Sequence, residues 1–248
     1  MHATRNAALF WSGGKDSVLA LHHAREGLPG IGVARLVTCV SEAYGRVSMH
    51  GVRRRLVEDQ ADAIGLPAEF VVIPSHHDAP CPMAHAGPGT DFPPNDVYSR
   101  AILAAFGRLK EEGMEAVVFG DIHLADLRAY RDGLLAHAGL EGFYPLWGRG
   151  TEELYAEFCL LGYRAVTVCV DLQRLTEGHC GQLLTPAFRV SLPEGADPCG
   201  ELGEYHSFAF GGPAFRRPVP YTLGEAHRQP PFLFRELLPG VPDGESSR

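Results

Sequence analysis

Near the start of the chain the residues Ser12-Gly13-Gly14-Lys15-Asp16-Ser17 put two hydroxyls, a cation and a carboxylate around a pair of glycines, directly after the apolar run Ala8-Leu9-Phe10. Glycines let the backbone approach an anion closely. A strand that passes through such a loop into a helix N-terminus also turns its N–H groups toward that anion. The spacing differs from the P-loop G-x-x-x-x-G-K-[ST], because Leu9 occupies the first glycine position and Asp16 follows Lys15. No third glycine is present for the dinucleotide fingerprint G-x-G-x-x-G either. Asp16 repels a bare phosphate and makes sense when a divalent cation lies between them. The string therefore reads as a cradle for the pyrophosphate of a Mg-nucleotide. The alternative is a turn in which Ser12 or Asp16 only caps the helix. Such a cap needs one polar residue and leaves the two glycines unexplained.

Further along, Gly120-Asp121-Ile122 closes an apolar run, where a carboxylate meets a ligand or a cation or simply ends a strand. Arg128 and Arg131, three apart on a helix-like segment, share a side. Each has a guanidinium suited to two-pronged binding of phosphate or carboxylate, or else is a solvated charge. Glu201-Leu202-Gly203-Glu204-Tyr205-His206 gathers two carboxylates and an imidazole within six residues. His206 has the alternative of a core histidine satisfied by the backbone. His76, His77, Asp78, Cys81 and His85 are the nearest approach to a metal cluster, at spacings that fit no zinc signature. Cys199 reads as a small buried thiol rather than a nucleophile.

The elements that must position these groups alternate. Apolar, β-branched runs at Ala8-Trp11, Ile31-Val37, Phe70-Ile73, Ala116-Phe119 and Ala165-Val170 read as strands. Between them Val52, Leu56, Ala63 and Ile64 share a helical face, as do Val97, Ala101, Ala105 and Leu109, and then Leu154, Phe158 and Leu161. The first loop leads into a helix that reaches Glu26 and ends at Gly27. This alternation predicts an α/β fold, a Rossmann-like parallel sheet with helices on both faces. Ligands then lie beyond the carboxyl ends of the strands, where Ser12 to Ser17, Thr38 and Gly120-Asp121 face one crevice. From about residue 172 short runs broken by Gly and Pro mark a smaller second unit, and the end of the chain reads as a tail. Residues 74–94, rich in Pro and Gly, are too long for a plain connection and read as a loop with a lid role.

With 248 residues, 45% hydrophobic and 21% charged, the chain is long enough for a real core. No apolar run reaches the roughly 20 residues of a membrane span, and MHATRNAALFWSGG lacks a signal-peptide pattern. The expectation is a cytoplasmic protein with no membrane partner. Six cysteines without a C-x-x-C pair are expected as reduced thiols. A net charge of -8 argues against broad nucleic-acid binding.

SGGKDS matches the S-G-G-x-D-S signature of the PP-loop ATP pyrophosphatases, which cut ATP to AMP and pyrophosphate. Together with VSMHGVRRRLVEDQADAIGLP at 47–67, VVFGDIHLADLRAYR at 117–131, YPLWGR at 144–149 and DPCGELGEYHSF at 197–208, it resembles the diphthine-ammonia ligase family over about residues 7–215. Leu202 stands where that family commonly has Gly or Asn. The resemblance implies a PP-loop ATP-binding domain over 1–145, a substrate-binding unit over 146–220, with the strand 165–170 free to belong to either, and a tail over 221–248. It implies ATP and Mg²⁺ as cofactors. Ser12, Gly13, Gly14 and Ser17 would bind pyrophosphate, Lys15 would offset its charge, and Asp16 with Asp121 would hold the metal. Thr38, His50 and Gly51 would lie by the adenine, with Gly120 and Arg128 also on the nucleotide. Lys15, Asp16, Asp121, Glu201, Glu204 and His206 would carry the chemistry, the last three holding or deprotonating the acceptor. That acceptor is a carboxylate, with a modified elongation factor as one candidate, and ammonia is the second substrate. A homodimer is compatible with the pattern. The alternatives are a PP-loop ATP pyrophosphatase with another substrate and an ATP-binding regulator without turnover.

Overall fold

The structure is a computed structural model that describes residues 4–27, 30–74 and 96–240. The lid expected over 74–94, apart from Pro74, and the group His76, His77, Cys81 and His85 lie outside the described residues. Among those described, no helix is long and apolar enough to cross a membrane.

Five strands form a wholly parallel sheet: β1 (Arg5–Phe10), β2 (Ile31–Ser41), β3 (Ala68–Ile73), β4 (Ala116–Val118) and β5 (Glu141–Phe143), in the order β3-β2-β1-β4-β5. β1 is central, and Ala7, Ala8 and Leu9 are fully buried. Successive strand side chains point to opposite faces, so Ala7 and Leu9 join one core while Ala8 joins the other. The first core takes Val18 and Leu21 of α1 (Lys15–Gly27), Leu56 and Ile64 of α2 (Arg54–Ile64), and Leu154 and Phe158 of α5 (Thr151–Leu160). The second takes Ile102 and Phe106 of α3 (Asp96–Glu111) and Leu135 of α4 (Ala125–Ala138). Helices thus cover both faces of a Rossmann-like α/β sheet. Its strand order reverses at β1 and β4, which is where such sheets bind ligands.

A second sheet is antiparallel. β6 (Arg164–Asp171), β7 (Tyr205–Gly211), β8 (Tyr221–Gln229) and β9 (Phe232–Pro239) run in the order β7-β6-β9-β8. A short α6 (Pro186–Ser191) precedes β7.

The structure differs from or completes the sequence pattern at three places. Ala165–Val170, which the sequence left open between the two units, sits inside the antiparallel sheet. A strand buried on both faces reads as the same continuous apolar run in either kind of sheet. β5 is only Glu-Gly-Phe, too short to show a period. Residues 221–239, expected as tail, form β8 and β9. β8 is mostly exposed and therefore polar, and its place is set by pairing with β9 rather than by burial.

Candidate functional site

At the carboxyl ends of β1 and β4 lies a cavity of about 250 Å³, walled by the loop 12–17, Gly120-Asp121, the turn 47–50 and the segment 199–207. The helix begins at Lys15, so the loop proper is Ser12-Gly13-Gly14, and Lys15, Asp16 and Ser17 form the first helical turn. The Gly14 N–H donates to Ser12 Oγ at 3.2 Å, and the Lys15 N–H donates to Ser207 Oγ at 3.2 Å. Two N–H groups at this helix start are thus held by hydroxyl oxygens, the partners an anion could replace. Ser17 Oγ donates to the Gly14 carbonyl at 2.8 Å. A side chain at Gly14 would begin 2.8 Å from the His50 ring and 3.1 Å from the Ser207 carbonyl, and one at Gly120 would begin 2.9 Å from the Asp16 carbonyl. Glycine at both positions lets the loop, β4 and the second unit close on one another.

Lys15 is 1% exposed. Its Nζ donates to both Asp16 carboxylate oxygens, at 2.7 and 2.8 Å, and to the Cys199 carbonyl at 2.5 Å. Burial pushes the ammonium pKa down, but the Asp16 charge, with lesser help from Cys199 and Glu201, more than offsets this and holds it above its ordinary value. Lys15 is therefore a fixed cation that ties the first loop to a segment 184 residues away. The Asp16 pKa is raised as well, which for a carboxylate favours the neutral form. Burial raises its pKa, Lys15 pulls it back, and Asp197 and Asp121 add repulsion.

Asp121 forms an ion pair with Arg131, both side chains largely buried. The Arg131 guanidinium lies over the Phe119 ring at 4.6 Å and lines the cavity. Arg128, the arginine expected on the nucleotide, is not brought into the cavity. It lies over the rings of Tyr144 and Trp147, at 4.6 and 4.5 Å, and faces Asp132. One helical turn separates the two arginines, and only the packing of α4 decides which of them faces inward.

In the segment 197–207, Asp197 Oδ1 accepts from the N–H groups of Cys199 and Glu201, at 2.7 and 3.2 Å, folding the chain back. Glu201 Oε1 accepts from the N–H groups of Ile122 and His123, at 3.2 and 3.0 Å, which places this carboxyl just beyond β4. Burial, with repulsion from Asp16, raises its pKa to about 7 despite those hydrogen bonds and Lys15. Glu204 does not reach the cavity. It is 1% exposed and accepts from the N–H groups of Asp197 and Leu202, at 3.1 and 3.0 Å, with Arg174 at 3.4 Å. It staples the loop. Cys199 is a buried thiol whose pKa burial pushes up to about 12, as expected of a structural cysteine.

His50 and His206 both line the cavity, with ring centroids 4.9 Å apart. His50 Nδ1 bonds the Ser207 carbonyl at 2.8 Å. Burial lowers the pKa of His50 to about 4 and that of His206 to about 3, and the Lys15 charge adds to both shifts. Thr38 is fully buried and donates to the Trp11 carbonyl at 2.7 Å, so it shapes the end of β1 rather than facing a ligand. Gly51 lies against Phe234 of β9.

Gln60 was missed. Fully buried on α2, it accepts from Trp11 Nε1 at 2.9 Å and donates to the Gly13 carbonyl at 2.9 Å and the Ala209 carbonyl at 2.6 Å. The signal was present, since Gln60 is the polar member of the otherwise apolar face Leu56, Val57, Ala61 and Ile64. Ser207 and Glu236 had no such signal. Glu236 on β9 pairs with Arg46 and Arg53 at either end of the turn that carries His50.

Among the described residues no three His, Cys, Asp or Glu side chains form a group that could hold a metal by themselves. Mg²⁺ asks for less, since one or two carboxylates with phosphate oxygens and water suffice. Asp16 and Asp121 at the cavity fit that donor set.

Residues 4–75 match the model of the diphthamide synthase N-terminal domain. No curated protein matches the sequence. Among solved structures, the chain is similar to one described as the predicted subunit of a tRNA methyltransferase from Methanocaldococcus jannaschii. That likeness has 15% identity and a TM-score of 0.38, over 70% of this chain and 81% of that one. The matched stretch 4–75 carries the SGGKDS loop at the end of β1 together with β2, α2 and β3 of the sheet ordered β3-β2-β1-β4-β5, so the likeness is to the half of the Rossmann-like unit that holds this loop.

Proposed function

We propose that the protein is an ATP-dependent ligase that joins ammonia to a carboxylate, cutting ATP to AMP and pyrophosphate. The observation that carries this reading is the meeting of two motifs in one cavity: the loop 12–17 and the segment 199–207, linked by Lys15 to Cys199 and Ser207. A carboxylate does not exchange oxide for ammonia. When its oxygen attacks the α-phosphorus of ATP, pyrophosphate leaves and an acyl adenylate forms. The ammonia lone pair then makes a C–N bond, the acyl C–O bond breaks, AMP departs with that electron pair, and the nitrogen gives up a proton. This scheme needs no covalent nucleophile, only positioning and charge stabilisation, in keeping with the raised thiol of Cys199.

In this reading the N–H groups of Gly14 and Lys15 exchange their hydroxyl partners for phosphate oxygens, with Ser12 and Ser17 beside them. Asp16 and Asp121 would hold Mg²⁺, which supplies neutralisation of phosphate charge. Lys15 opposes the effect of burial on Asp16 and fixes the loop against the acceptor side. Glu201, with a pKa near 7, is the group suited to take the proton from nitrogen. The decisive experiment is product analysis with ATP, Mg²⁺, ammonium and a panel of carboxylic acids. AMP, pyrophosphate and an amide in equal amounts are expected. ADP and phosphate as the main products would overturn the reading.

A further inference from the structure

His50 and His206 are the two cavity residues whose chemistry the scheme above leaves open. They come from distant parts of the chain, the turn before α2 and strand β7. His50 gives its Nδ1 to the Ser207 carbonyl. A carbonyl oxygen only accepts, so the proton sits on Nδ1 and the other ring nitrogen is a bare acceptor. His206 Nε2 is buried and has no hydrogen-bond partner among the described residues. Buried polar atoms are ordinarily paired, so this nitrogen in the cavity wall is open to a hydrogen bond from a ligand or a water. Beside the pair stands the fixed charge of Lys15, which disfavours a second cation at this place.

We infer that the facing imidazoles of His50 and His206 form a subsite for a small neutral nitrogen nucleophile, ammonia or a primary amine. His50 Nε2 can accept one of its N–H bonds and His206 Nε2, in the tautomer that carries its proton on Nδ1, a second, which leaves the lone pair free toward the acyl carbon. An ammonium ion has no lone pair to offer, and Lys15 repels it. The turn that carries His50 is held rigidly for such a task. Met49 has a positive φ of 67°, rare for a side-chain-bearing residue, and the His50 N–H donates to the Ser48 carbonyl two residues back at 2.8 Å. Such backbone is kept where the surroundings over-determine it, here through Arg46 and Arg53 on Glu236.

The inference rests on the amide-forming reading for its purpose but is tested by binding. In ¹⁵N-histidine-labelled protein at mildly alkaline pH, titration with ammonium chloride should shift the ring-nitrogen resonances of His50 and His206, and potassium chloride at the same ionic strength should not. Equal responses to the two salts, or none, overturn the subsite whatever the enzyme makes. If amide formation is found, His206→Ala should raise the KM for ammonia by about tenfold, the upper range for one lost hydrogen bond. The KM values for ATP and the carboxylate should stay near their original values. Parallel rises in all three would return His206 to a structural role. Ammonium-specific shifts without amide formation would leave the subsite standing and sink only the ligase reading.

Discussion

Lys15 and Asp16 illustrate how neighbouring residues take opposite dependencies. The buried ammonium has one carboxylate within hydrogen-bond distance, that of Asp16. Removing one partner of a buried pair costs more than removing both, because the survivor is left as an uncompensated charge. Asp16→Asn is therefore expected to stop AMP formation and also to lose about 2–4 kcal/mol of stability. Lys15→Met combined with Asp16→Asn should recover part of that stability and no activity. Urea unfolding of both variants is the check, and a double variant less stable than Asp16→Asn would refute the dependence. The two imidazoles make a pH prediction. In the folded protein they stay neutral down to about pH 4 and 3, whereas in the unfolded chain they take up a proton near pH 6.5. Below 6.5 the unfolded state binds more protons, so their contribution to stability falls as pH falls from 6.5 toward 4. Glu201 acts the opposite way. Its folded pKa of about 7 lies above the ordinary 4.5, so its contribution falls as pH rises between those values. The net slope mixes the two, and His206→Ala separates them. That variant should lose about 2 kcal/mol less than the native protein on going from pH 7 to pH 5, read from denaturant midpoints at the two pH values.

At the scale of elements, the segment 197–204 is a loop organised by two carboxylates, and the work of the two differs from what their spacing implied. Asp197 folds the chain over Cys199 and Glu201, and Glu204 holds the N–H groups of Asp197 and Leu202. Glu204→Gln keeps the shape but sets an amide N–H₂ against a backbone N–H. The expected result is a loss of about 1–3 kcal/mol in stability, with ATP use and acceptor use declining together rather than acceptor use alone. Calorimetric ATP binding beside acceptor kinetics distinguishes the two, since a selective loss for the acceptor would put Glu204 back at the substrate. α2 is the other element with a double duty. Its apolar face fills the core, and the Gln60 amide on that same face holds the Gly13 carbonyl and β7 at once.

For the molecule as a whole, the second sheet completes the site. β7 brings His206 and Ser207 to the first helix, and β9 brings Glu236 and Phe234 to the turn 46–53. β9 is an interior strand, flanked by β6 and β8, so ending the chain after Pro220 would leave β6 with an open edge and expose Leu233 and Leu237's packing partners. That truncation is expected to yield aggregated protein or a protein without cooperative unfolding, followed by gel filtration and circular dichroism. A soluble, cooperatively unfolding product would show that these strands are as dispensable as a tail.

Much of this was legible in the residues. Local strings determined the loop 12–17, the alternation of strands and helices, and the gathering of chemistry at 120–121 and 201–206, because short-range periodicity and glycine placement report local backbone and burial. Orientation was not local. Glu201 and Glu204 are equally good carboxylates in sequence, as Arg128 and Arg131 are equally good cations, and one member of each pair faces the cavity only because β4 and α4 pack as they do. Gln60, Ser207 and Glu236 act through partners 47 to 192 residues away, a separation that no window of sequence spans. What the tertiary structure alone decided is which polar side chains share one desolvated space, since that depends on two sheets closing on each other at glycines too small to keep them apart.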